Sequence, residues 1–94
     1  MMQFHPAADE EYQSAIEWYR THSPRAANRF EAEVERLLKV IAVQPAVFGW
    51  YDELHRFAVL RKFPYSIVYQ EYEGAVYVVA IAHSSREPGY WQGR

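Results

Sequence analysis

Cysteine is absent from the sequence. That excludes a disulfide framework and any thiolate metal site. Glycine is sparse, four in 94 residues, and no Gly-rich phosphate loop can be drawn. Apolar runs stay well short of the roughly 18 residues that a membrane-spanning helix needs, and the amino terminus lacks the basic, apolar, small-residue pattern of a secretory signal. A cytoplasmic protein without a membrane partner is the expectation. His5, His22 and His55 show no metal-ligand spacing, and no Ser/His/Asp order emerges. Neither a metal nor a cofactor is therefore expected. Repeats, linkers and low-complexity tracts are missing too, so residues 1–94 are expected to form one domain around one core.

What remains is the composition of a globular chain: 50% hydrophobic, 17% aromatic and 23% charged. Eight tyrosines and three tryptophans are many for this length, which puts amphipathic rings near the surface as contacts for a partner. Ten basic and twelve acidic residues give a net charge of −2. Binding nucleic acid by charge alone usually takes a basic domain, so here it would need a local patch. Before Trp50 there are five basic and seven acidic residues, and after it five of each. The acidic excess thus belongs to the front half and any cationic surface to the rear. Eight of the ten basic residues are arginines, whose planar fork suits carboxylate or phosphate.

Met2 to His5 reads as a short edge strand ahead of Pro6. From Ala8 the apolar residues Ala8, Tyr12, Ala15, Ile16 and Tyr19 recur at helical spacing. Asp9, Glu10 and Glu11 sit in the first turn, where negative charge suits the helix dipole. Ser23-Pro24 predicts an N-cap and first residue for a second helix, on which Phe30, Val34, Leu37, Leu38 and Ile41 repeat the spacing. Arg29/Glu33 and Glu35/Lys39 are expected to pair on its outer face, against Glu31/Glu35. Pro45 ends it. The two helices, joined by about four residues, form an antiparallel hairpin.

The rear half changes period. Phe57, Val59, Arg61 and Phe63 alternate with Ala58, Leu60 and Lys62, predicting a half-buried strand that ends near Pro64. Ser66 to Tyr72 predicts the next strand, Glu73-Gly74 a turn, and Ala75 to His83 a third strand. The last is apolar on both faces, as a central strand would be, and alternation does not say which face the helices cover. The fold class is α+β, in the order β-α-α-β-β-β, with a helical hairpin on a small, mainly antiparallel sheet. The final hairpin delivers His83, Arg86, Tyr90 and Trp91 to one end of that sheet. Such a set can serve phosphate and nucleobase chemistry or grip a protein partner.

Several of these pieces, in order and over nearly the whole length, resemble the RelE/ParE superfamily of type II toxin–antitoxin toxins. They are Phe4-His5-Pro6-Ala7-Ala8 before a helix with Trp18-Tyr19, Ala26-Ala27-Asn28-Arg29-Phe30 opening the second helix, and Pro45 after it. Phe63-Pro64-Tyr65-x-Ile67-x-Tyr69 and His83-x-x-Arg86-x-Pro88-x-Tyr90-Trp91 follow. The resemblance implies the same β-α-α-β-β-β fold, a cognate antitoxin as partner, and a role in growth inhibition or plasmid stabilisation. It implies one of two activities: RelE-like cleavage of mRNA on the ribosome without a metal, or ParE-like poisoning of DNA gyrase.

Metal-free RNA cleavage needs a base, cations for the phosphate and an acid for the leaving oxygen. His83 as base or acid, Arg86 on the phosphate and Tyr90 as donor are the candidates, with Arg61 as a second cation and Trp91 to stack a base. The plainer alternatives are a strand-end histidine satisfied by one hydrogen bond, an Arg86–Glu87 surface pair, and a carboxy-terminal tail packed by Tyr90 and Trp91. Asp52, Glu53 and His55 are a substitute acid–base set or a solvated loop. Arg56, Arg61, Lys62 and Arg94 either join Arg86 and Trp91 in one target-binding patch or are spread around the rim. RelE-like nucleases carry an arginine where Ser66 stands here, and their lysine-rich strand is thinned to Arg61-Lys62. The preferred expectation is therefore a ParE-like toxin acting on gyrase. An mRNA endonuclease or a non-toxic protein-binding module is the alternative. The groove between helices and sheet, or the sheet edge, is where an antitoxin segment would dock.

Overall fold

The structure, a computed structural model, describes residues 2–94. The chain forms β1 (Met2–Phe4), α1 (Pro6–His22), α2 (Pro24–Val43), a 3-10 turn (Pro45–Val47), β2 (Arg56–Val59), β3 (Tyr65–Tyr72) and β4 (Ala75–His83). One mixed sheet holds all four strands in the order β1-β4-β3-β2. β1 runs parallel to β4, and the other pairings are antiparallel. The expected β-α-α-β-β-β order and mainly antiparallel sheet are what is found.

Helix α1 starts two residues earlier than the apolar spacing suggested. Pro6 occupies its first turn and the His5 imidazole caps it, Nδ1 accepting from the Ala7 N–H at 3.0 Å. A proline costs nothing there because its missing donor would lack a helical partner anyway. The loop between the helices is one residue, not about four. Ser23 ends α1 through its backbone N–H and begins α2 through its hydroxyl, which accepts from the Ala26 N–H at 3.2 Å. Pro45 terminates α2 as expected, with Gln44 as its C-cap.

Strand β2 stops at Val59 rather than running to Phe63 as the alternation predicted. Lys62 adopts φ of 65°, a left-handed conformation that no strand can hold. The apolar pattern runs on past the strand because Leu60 and Phe63, from opposite rows of the alternation, both dip from the loop into the helix-facing core.

Which face the helices cover is decided by a bulge. Val68 pairs with Ala80 but Tyr69 pairs with Val78, leaving Val79 as an extra residue in β4. The parity of β4 flips there. Val76, Val78 and Ile81 all face the helices, joining Ala8, Ile16, Phe30, Val34, Ile41, Ile67 and Tyr69. Val79 and Ala80 face the other way, into a smaller core closed by Val68 and Trp91. A strand apolar on both faces is thus a strand buried on both, by helices on one side and by the carboxy-terminal tail on the other.

Candidate binding surface at the sheet end

β4 ends at His83, directly opposite Tyr65 of β3, and the chain then turns back across the sheet end. His83, Arg86 and Tyr90 are brought together as expected: all three line an open cleft of about 500 Å³ whose other wall is Trp18 and Tyr19 of α1. His83 sets its ring edge-on to Tyr65 at 4.9 Å between centroids. Its Nδ1 accepts the Ser85 N–H at 3.0 Å and lies 2.8 Å from the Ser85 hydroxyl. A ring nitrogen that accepts a backbone N–H carries no proton, so the neutral tautomer holds its proton on Nε2. The neutral ring therefore offers a donor rather than a free base.

The residue at the centre of the cluster is one that the sequence reading placed only in a helix first turn. Glu11 accepts the Ile81 N–H at 3.1 Å and the Tyr90 hydroxyl at 2.8 Å. Both Arg94 terminal nitrogens bond to it, at 3.1 and 3.0 Å, and Arg86 stands 4.0 Å away. Arg86 also lies over the Tyr90 ring, 3.8 Å from its centroid, a cation–π contact. Burial, then the bonded Glu11 carboxylate, pushes the Tyr90 hydroxyl well above its ordinary value. A phenol held this way keeps its proton and spends it on Glu11. A signal for Glu11 existed: it falls three residues after Ala8 and four before Ala15, on the inward row of α1.

Trp91 is not at the surface. At 2% exposure it fills the smaller core, with Tyr51 and His55 packed edge-on against it at 4.8 and 4.6 Å. In this position it offers no face for a base. His55 is itself buried. Its Nδ1 donates to Asp52 at 2.8 Å, and its Nε2 lies 3.0 Å from the Gln70 amide. Asp52 also accepts from the backbone N–H groups of Leu54 and His55 and from Gln92. Burial opposes its charge, but the bonds from Gln92, Leu54 and His55 outweigh that and hold the carboxyl well below the ordinary carboxylate range. Asp52 and His55 thus form a latch that fastens loop and tail, while Glu53 is exposed.

The remaining cations are spread over three places. Arg94 joins Arg86 at Glu11. Arg56 lies 3.8 Å over the Trp50 ring and donates to the Phe48 carbonyl at 2.6 Å, holding the loop before β2. Arg61 and Lys62 line a separate concavity beside α2 with Arg29 and Arg36. There Arg36, and not Arg29, takes Glu33, through Nε and a terminal nitrogen at 2.9 and 3.0 Å.

Two helices covering one face of a four-stranded mixed sheet, with a tail folded over the other, define a small α+β domain whose polar groups are tied to one another around an open cleft. A family profile described as the ParE toxin of the type II toxin–antitoxin system parDE matches residues 2–88, and the chain belongs to that family. Among solved structures the chain is similar to one titled as the chromosomal ParDE system of P. aeruginosa. Identity is 15%, the TM-score is 0.71, and the alignment covers 87% of this chain and 92% of that one. At that identity the likeness concerns the fold. No curated protein matches the sequence.

Proposed function

We propose that this ParE-type toxin acts by binding DNA gyrase, and that a cognate antitoxin holds it inactive. One observation carries the preference for binding over RNA cleavage: both acid–base candidates are already engaged. The acceptor nitrogen of His83 is occupied by Ser85, and the Tyr90 hydroxyl already donates its hydrogen bond to Glu11. A ribonuclease needs one group free to take a proton and another free to give one. An open cleft walled by Trp18, Tyr19, Tyr65 and Tyr90, with Arg86 at its rim, is instead suited to gripping a partner. Family membership supports an antitoxin as one such partner, and gyrase as the target follows from the ParE-like resemblance.

Purified protein added to gyrase and relaxed plasmid should reduce ATP-dependent supercoiling and accumulate linear DNA from trapped cleavage complexes. Unchanged supercoiling at large molar excess would reject gyrase as the target. Ribosome-dependent cuts in a translated mRNA, lost in His83→Ala, would replace binding with catalysis.

A further inference from the structure

The concavity of about 410 Å³ beside α2 collects four cations, Arg29, Arg36, Arg61 and Lys62, around a single carboxylate, Glu33. From these residues we infer a docking site for an acidic, carboxylate-bearing segment of a protein partner. It is separate from the sheet-end cleft and does not depend on gyrase being the target.

The sequence places three of these residues on one face of α2. Positions 29, 33 and 36 follow at i, i+4 and i+7 and so lie in one row about 10 Å long. The β2–β3 loop sets Arg61 and Lys62 against that row. Its placement is fixed by the Arg61 N–H, which donates to Glu33 at 2.8 Å, and by Phe63, which packs edge-on to Tyr19 and Phe30 at 5.3 and 5.4 Å. Glu33 is already satisfied: Arg36 bonds both its oxygens, and with the Arg61 N–H and the nearby Arg61 charge it holds the carboxyl below its ordinary value despite burial. Arg29, Arg61 and Lys62 form no ion pair among the described residues. Four positive charges and one negative leave a local surplus of three on a chain whose net charge is −2.

That surplus is charge complementarity in want of an anion, and the charges around it favour a short acidic segment over a nucleic-acid strand. The planar forks of Arg29 and Arg61 can each take a carboxylate through two parallel bonds, as Arg36 takes Glu33. The opposite side of α2 carries Glu31 and Glu35, within electrostatic reach of Tyr12 on α1. A long polyanion would run from the patch onto that acidic face, whereas a short acidic segment would not. Partly buried Phe63, at the edge of the concavity, offers an apolar contact beside the charges.

Titrating the isotope-labelled protein with a short glutamate-rich peptide, and following backbone amide resonances, tests the inference. Saturating shifts confined to the amides around Arg29, Glu33 and Arg61 to Phe63 are expected. The affinity should fall steeply with added salt and by about tenfold or more in the triple variant Arg29→Gln, Arg61→Gln, Lys62→Gln. None of the three side chains holds the fold in an ion pair, and Arg29→Gln alone, on an exposed helix face, should already weaken binding. Equal binding by the glutamine counterpart of the peptide would overturn the inference. So would shifts located at the sheet-end cleft, unchanged binding by the triple variant, or tighter binding of oligothymidine than of the glutamate peptide. A failure in this titration leaves gyrase inhibition by the unmodified protein as it was, so the two readings fall separately.

Discussion

At the scale of single residues, Glu11 has more to hold than any residue the sequence singled out. One carboxylate serves the Ile81 N–H, the Tyr90 hydroxyl and the Arg94 guanidinium, joining α1 to the last part of β4 and to the carboxy-terminal tail. Replacing it with alanine leaves the Ile81 N–H and the Tyr90 hydroxyl without this acceptor, and leaves the partly buried Arg94 charge only the Val79 carbonyl at 3.1 Å. The cost should be about 2–4 kcal/mol in urea unfolding. Glu11→Gln keeps an acceptor oxygen but loses the charge, and should cost clearly less. Equal losses in both variants would mean that the charge contributes nothing. Tyr90→Phe removes one donor from a carboxylate that keeps others, and about 1 kcal/mol is expected. Of this cluster, the residues with distinctive chemistry were legible: His83, Arg86 and Tyr90 stand out by type and by position after a strand. Glu11 did not, because three consecutive acidic residues read alike until the inward row of the helix is traced.

Among elements, the strongest local signals were those backed by backbone chemistry. Ser23-Pro24, Pro45 and Glu73-Gly74 each fall where the sequence put a cap, a stop and a turn. The β3–β4 turn has Glu73 at φ 50° and Gly74 at φ 81°, both left-handed, as a two-residue primed turn requires. A Cβ on Gly74 would meet nothing within 4 Å. Gly74→Ala should thus cost only the conformational term, roughly 1–2 kcal/mol, and Glu73→Asn should stabilise by about 0.5 kcal/mol because asparagine tolerates this region better than glutamate. Thermal unfolding of the two variants would show opposite shifts in midpoint, and shifts of the same sign would exclude this account of the turn. The extent of β2 and the facing of β4 were not legible, for a shared reason. Alternation reports burial, not hydrogen bonding. Leu60 is buried and Phe63 partly buried from a loop, and the Val79 bulge reverses β4 without interrupting its apolar run.

For the whole molecule, the carboxy-terminal tail decides whether the second face of the sheet is a core or a surface. Trp91 fills it, while Gln92 and Arg94 reach Asp52 and Glu11 at its two sides. The latch at Asp52 makes this arrangement sensitive to acid, and the direction follows from the carboxyl's depressed pKa. An aspartate in the unfolded chain titrates near 4. In the folded chain Asp52 titrates lower, because Gln92, Leu54 and His55 hydrogen-bond the charged form. Between those two values the unfolded chain binds a proton that the folded one does not, so acid favours unfolding. The stabilisation from Asp52 is complete above about pH 5 and declines as the pH falls through 4 and below. Glu33, also depressed by Arg36, contributes in the same direction, which makes the wild-type slope alone ambiguous. Asp52→Asn separates them, since it removes the titration at one site and leaves Glu33 in place. The variant should be less stable than wild type near neutrality, and the gap should narrow steadily as unfolding is measured from about pH 6 down to about pH 3. A gap that stays constant over that range would mean that the Asp52 charge does not hold the tail.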